Sequence, residues 1–171
     1  MKLDYLYEVL LFAILIVLQV LVFNQISIFG FATPFLYIYF LLKLPVGRNL
    51  FYVIGIGFLL GFIIDIFLNT PGINAAATTT VAAFRHLLLR LFFTKDETEE
   101  YIPSIYTTPA AFIKYALVAV IIHLTVIYSL ESLSLFNLEI LLIRWASSVV
   151  LTVIVLLGLD AFMYKTFSAN E

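Results

Sequence analysis

The sequence contains no cysteine. Disulfides, thiolate nucleophiles, thiolate metal ligands and lipid attachment through sulfur are therefore excluded. Charge is scarce: 12% of residues are Asp, Glu, Lys or Arg, against 64% hydrophobic. A soluble domain typically has about a quarter of its residues charged, so this chain lacks the material for a water-facing surface. A net charge of -2 gives no electrostatic case for nucleic acid. Histidine occurs only as His86 and His123, with no HExxH pattern and no acid-rich helix beside them, whereas a metal site takes three or four ligands. Ser147 and Ser148 have no histidine in their own helix, and Asp65 and Asp160 belong to opposite edges of a membrane. Neither serine nor paired-aspartate chemistry is assembled, and no Gly-rich phosphate loop adjoins a lysine. The expectation is a non-enzymatic protein without cofactor or metal.

What is present is apolar length. Mean hydropathy is +1.13, and hydrophobic runs of membrane-spanning size recur along the chain. The composition predicts an all-α integral membrane protein, one domain over residues 1–171 with no internal repeat. Six helices are expected, at about 5–23, 34–44, 50–68, 73–93, 112–130 and 139–162, forming one compact bundle. The first follows Lys2, is too long for a signal-peptide core and lacks a small-x-small cleavage site, so it is expected to be retained. Helix 2 opens on Pro34 and is short. Eleven residues reach only ~17 Å at 1.5 Å each, so it either spans with local adjustment or re-enters. Residues 94–109 form the one polar loop, strongly acidic from Asp96 to Glu100 and expected at the surface.

Lysine and arginine are absent from the first, third and fifth loops, while Lys2, Lys43, Arg48, Arg90, Lys95, Lys114 and Lys165 fall at the other end. The positive-inside rule then places both termini and the acidic loop in the cytoplasm. Acids contribute little to that rule, so the acidic loop does not oppose it.

Gly57, Gly61 and Asp65 are spaced by four and share one helical face. Glycines four apart admit another helix closely, and an aspartate on that face points into protein, since lipid exposure costs at least ~2.5 kcal/mol. By helical rise Asp65 and Arg144 lie at similar depths, ~5 and ~7 Å from the outer edge. Two readings stand: an ion pair tying helix 3 to helix 6, or an Arg144 that snorkels to the interface. Glu8 and Asp160 sit near the inner edge with Arg85 and Arg90 in the inner half, either as one polar cluster or as snorkelling arginines. Phe29, Phe31, Phe35, Tyr37 and Tyr39 mark the outer edge, as interfacial anchors in lipid or as the receiving surface for a partner's helix.

The run GFLLGFIIDIFLNTPGINAAATTTVAAF resembles the signature region of the rod shape-determining protein MreD family. Gly57, Gly61, Asp65, Gly72 and Ala75 occupy its glycine, aspartate, turn and small-residue positions, and the Pro34 start of helix 2 also fits. The strongly acidic fourth loop departs from the pattern. The resemblance implies a multi-pass protein of the bacterial inner membrane, a scaffold of the elongasome that supports cell shape and lateral peptidoglycan synthesis. Implied partners are MreC above all, then MreB, RodA and its penicillin-binding transpeptidase, besides membrane lipids; no catalytic residues are implied. The family's bundle is similar to the substrate-binding subunits of vitamin transporters. That similarity supplies the alternative, a small-molecule-binding subunit of an energy-coupling transporter. The short uncharged outer loops favour the scaffold.

Overall fold

The computed structural model describes residues 2–25, 32–93, 101–132 and 137–168, with side chains described over 5–25, 32–93, 101–132 and 137–163. Phe29, Phe31 and the acids from Asp96 to Glu100 lie outside these residues. The described residues are helical and contain no strand. α1 is Lys2–Leu18 and continues as one π-helical turn, Gln19–Phe23. A 3-10 turn, Leu36–Ile38, leads into the five-residue α2, Tyr39–Lys43. α3 is Leu50–Leu68, α4 Ile73–Phe92, α5 Pro109–Glu131 and α6 Leu138–Ser168. Pro109 opens α5 at a position where its missing N–H is no loss, so helix 5 begins earlier than the sequence suggested.

Four segments are long and apolar enough to cross a membrane: Tyr5–Phe23, Leu50–Leu68, Pro109–Glu131 and Leu138–Met163. α4 is as long as these but carries Thr78, Thr79, Thr80, Arg85, His86 and Arg90, which lower its hydropathy. It packs against α3 on one side and α5 on the other. Its threonine hydroxyls bond back to carbonyls of its own preceding turn, for example Thr79 Oγ1 to Ala75 O at 2.6 Å. The helix thereby carries three threonine hydroxyls without leaving them unpaired.

Around these helices the chain alternates between two ends. Asn24, Thr33, Leu68, Thr70, Asn74, Tyr128, Glu131 and Arg144 surround one cavity at one end. Glu8, Arg48 and Tyr52 meet at the other, as do Lys43, Pro103, Ser104 and Asp160. The segment 33–44 connects the two. On α6 its start lies beside Ser148 and its end beside Asp160, a separation of about 18 Å by helical rise.

That segment is the centre of the fold. Leu36, Tyr37, Ile38, Tyr39, Phe40, Leu41 and Leu42 are each no more than 2% exposed. A lipid-facing helix shows an outward stripe, and this one has none. The expectation that Phe35, Tyr37 and Tyr39 form an outer, lipid-facing partner edge is therefore corrected. Tyr37 and Tyr39 are wholly enclosed, while Phe35 is half-buried and lines the cavity at the Arg144 end. Only eight residues are helical, too few for the ~30 Å hydrocarbon core. Backbone without helical bonds is tolerated at membrane depth only where protein encloses it, and here the other helices do so.

Candidate functional site

The run that carries the family resemblance folds as a single hairpin of α3 and α4. At Gly57 an added Cβ would meet Ala82 Cβ at 3.0 Å. At Gly61 it would meet Ala75 Cα at 2.6 Å, with Thr78 Oγ1 and Asn74 O closer still. The two helices thus approach backbone to backbone, as the spacing predicts. Between them Asn69 adopts a left-handed conformation (φ 54°) and Gly72 another (φ 82°), which close the turn in four residues.

Asp65, 4% exposed, is spent on the start of α4. Its Oδ1 accepts from Asn74 N–H at 3.0 Å, Asn74 Nδ2 at 2.9 Å and Thr70 Oγ1 at 2.8 Å, and its Oδ2 from Ala75 N–H at 2.9 Å. The first N–H groups of a helix have no partner within it and carry a partial positive charge, so a carboxylate from the preceding helix serves as their cap. Of the two readings of these residues, the ion pair of Asp65 with Arg144 is therefore corrected. Matching depth did place both residues at one end, but the nearer donors of α4 take the carboxylate. Asn74 then passes the connection on, accepting from Tyr37 OH at 2.6 Å.

The central segment draws polar groups from the helices around it. Its extended start would leave N–H groups unmet, and three side chains meet them. Ser148 Oγ accepts from Thr33 N–H and Thr152 Oγ1 from Phe35 N–H, both at 3.1 Å, and Gln19 Oε1 accepts from Leu36 N–H at 2.6 Å. Gln19 also donates to Pro34 O, from the point where α1 widens into its π turn. The far end of α2 presents free carbonyls, and Arg85, 1% exposed, covers them. It donates through Nε to Leu41 O at 2.9 Å and through Nη2 to Leu44 O. A cation at a helix C-terminus also opposes the negative end of its dipole.

The expected single inner cluster of Glu8, Arg85, Arg90 and Asp160 is accordingly corrected: Arg90 is exposed, and Glu8, Arg85 and Asp160 enter separate arrangements, each built on residues 41–48. Arg85 holds backbone. Glu8 is paired with Arg48 at 2.6 Å and accepts from Tyr52 OH at 2.9 Å, with the Arg48 guanidinium over the Tyr5 ring. Burial lowers the Arg48 pKa and the Glu8 carboxylate raises it, with a net upward direction. Asp160, 1% exposed, accepts from Tyr39 OH, Ser104 Oγ and Ile105 N–H, each at 2.8 Å, and is paired with Lys43 at 2.8 Å. Lys43 also donates to Pro103 O at 2.9 Å. With Val46 N–H on Tyr101 O, these contacts hold residues 101–105 against the bundle. The reason for the separation is that α2 lies between the groups expected to cluster, so each meets the nearest part of loop 44–49 or of α2 first.

Sequence reasoning missed Gln19, Asn74, Ser104, Ser148 and Thr152. A signal existed: each of Gln19, Ser148 and Thr152 sits in a predominantly apolar helix of membrane-spanning length, where a polar side chain needs a partner. The short helix ending at Pro45 also required donors for its carbonyls. What was missing was the knowledge that the short helix lies at the centre.

Lys43→Met is expected to leave the buried Asp160 charge without its cation, at about 3–5 kcal/mol. Lys43→Met combined with Asp160→Asn should lose less than the sum of the single changes, by about 0.5–3 kcal/mol. Thermal melts of detergent-solubilised variants would measure this, and strict additivity would refute the pairing.

At the opposite end, Asn24, Thr33, Phe35, Leu68, Thr70, Asn74, Ile127, Tyr128, Glu131 and Arg144 line a half-open cavity of about 360 Å³. Arg144 is half-buried and its Nε has no hydrogen-bond partner among the described residues. Behind Phe35 lies His123, fully enclosed, edge-on to the rings of Phe35 (5.9 Å) and Tyr37 (5.3 Å), with neither nitrogen partnered among the described residues.

No family model, no curated protein and no solved structure matches the chain. Fold and site define an all-helical chain with four helices suited to crossing a membrane. Its buried polar groups are engaged mainly in joining its own helices.

Proposed function

We propose that this chain is a non-enzymatic scaffold of the bacterial elongasome, an MreD-like protein of the inner membrane that supports lateral wall synthesis through MreC and other wall-synthesis proteins. The observation that carries the reading is the α3–α4 hairpin. Gly57, Gly61, Asp65, Gly72 and Ala75, the positions of the resemblance, act there as one unit: two close-approach glycines, a cap, a turn and a contact. In this reading the chain passes the membrane six times with both termini inside. The alternation of the loops between two ends and the distribution of bases support it. Single cysteines at Arg48 and Thr70 test it: the second should react with an impermeant thiol reagent applied outside, and the first only after permeabilisation.

With α2 enclosed, the apolar surface left for a partner is that of α1, whose Val9, Leu10, Ile14, Val17 and Leu21 are exposed. A partner's transmembrane helix would associate there through packing, not through burial from water. Crosslinking from cysteines at Val9, Ile14 and Val17, compared with Leu142, Val150 and Ile154 of α6, tests this in cells. Co-purification in mild detergent tests the function itself. MreC in the eluate supports the scaffold, whereas a retained small molecule without MreC supports the alternative, a transporter binding subunit using the Arg144 cavity.

A further inference from the structure

We infer that the cavity at the Arg144 end is a receptor for a phosphodiester group. The inference is independent of the scaffold reading and rests on three observations. The stretches 24–33, 69–72 and 131–138 contain no lysine or arginine, and Arg144 lines the cavity. The acid that sequence depth assigns to it, Asp65, is fully engaged by Thr70, Asn74 and Ala75. Its Nε is buried and unpartnered among the described residues. A guanidinium presents a planar fork of donors suited to two oxygens of one phosphate or carboxylate. Here part of that fork is turned inward with nothing accepting from it.

The rest of the lining narrows the ligand. Phe35, Leu68 and Ile127 make one part of the wall apolar, and Asn24, Thr33, Thr70 and Tyr128 make another polar. Glu131 shares the cavity and lies close enough to Arg144 to interact with its charge. A dianionic phosphate monoester brought to Arg144 would be repelled by Glu131. A phosphodiester carries one negative charge and avoids most of that repulsion. The apolar wall suits a hydrocarbon or glycerol substituent beside it. The two sources of this chemistry are a phospholipid headgroup from the leaflet at this end and a water-soluble glycerophosphodiester.

The test uses the full chain, delipidated in a maltoside detergent that contains no phosphate. Phosphatidylglycerol, soluble glycerophosphoglycerol, phosphatidic acid and a phosphate-free diacylglycerol are added separately. Thermal stability and native mass spectrometry read the response. Phosphatidylglycerol is expected to raise the melting temperature and to remain bound at one saturable site, and diacylglycerol to do neither. Arg144→Gln should weaken that binding about tenfold or more, the loss of a charge-assisted hydrogen bond. Arg144→Lys, which keeps the charge but not the fork, should fall between. Glu131→Gln should selectively improve binding of phosphatidic acid. A response to the soluble glycerophosphodiester equal to that of the lipid assigns the site to a free ligand, and a response to the lipid alone assigns it to a headgroup. If Arg144→Gln, shown folded by size exclusion, binds phosphatidylglycerol as the unsubstituted protein does, the inference is overturned. The same holds if diacylglycerol stabilises equally.

Discussion

Gly61→Ala is expected to destabilise the protein strongly, although alanine is the better helix former. An added Cβ at Gly61 lies 2.6 Å from Ala75 Cα and nearer still to Asn74 O and Thr78 Oγ1. Two of these three atoms are backbone, so no rotamer change relieves the contact and α4 must move away from α3. Overpacking of this kind costs about 1–3 kcal/mol, with the upper end expected where backbone is met. Gly55 on the same helix provides the control, since nothing lies within 4 Å of its added Cβ. Gly55→Ala should be neutral or stabilising by up to about 1 kcal/mol from helix propensity. Size-exclusion thermal melts of the two variants in detergent should therefore shift in opposite directions. Similar shifts would mean that α3 and α4 are not in backbone contact.

Asp65→Ala carries the second large effect. It removes the acceptor for two backbone N–H groups of α4, Asn74 and Ala75, and for the Thr70 and Asn74 side chains. The side chains retain each other, because Asn74 Nδ2 also donates to Thr70 Oγ1. The two backbone groups have no substitute. At about 1–3 kcal/mol for each buried unsatisfied group, the expected loss is about 2–6 kcal/mol. Asp65→Asn keeps one acceptor oxygen and should lose roughly half as much on the same principle. Arg144→Gln, by contrast, should change stability little in lipid-free detergent, and its effect should add to that of Asp65→Asn within about 0.5 kcal/mol. Coupling larger than that would restore the Asp65–Arg144 pair. Urea or thermal unfolding of the two single variants and the double variant measures it.

The parts of the site read correctly from the sequence are those whose partners are close along the chain. Gly57, Gly61 and Asp65 share a face by helical periodicity alone, and the Asn69–Gly72 turn leaves α4 no other place to pack than on that face. The Asp65 cap joins residues only nine and ten positions apart, yet the residue pattern offers a long-range ion pair with Arg144 as one of its two readings and does not offer the cap. Matching depths and opposite charges suggested Arg144, while the uncharged N–H groups of α4 offered no feature visible in a residue pattern. The polar contacts of Asp160 with Tyr39 and of Ser148 with Thr33 join residues 121 and 115 positions apart, and no local rule reaches that far.

The sequence by itself determined that the chain is helical, apolar and made of segments long enough to cross a membrane. Composition and hydrophobic length decide those properties one helix at a time. Where each helix stands relative to the others was decided only in the tertiary structure. The segment 33–44 has the composition of a short membrane helix, and nothing local distinguishes a helix bathed in lipid from one enclosed by protein, because both surroundings are apolar. Its place at the centre follows from what its interrupted backbone lacks. Outside water, the N–H groups of Thr33, Phe35 and Leu36 and the carbonyls of Leu41 and Leu44 need partners. Ser148, Thr152, Gln19 and Arg85 supply them from three different helices, and those helices can do so only by surrounding it.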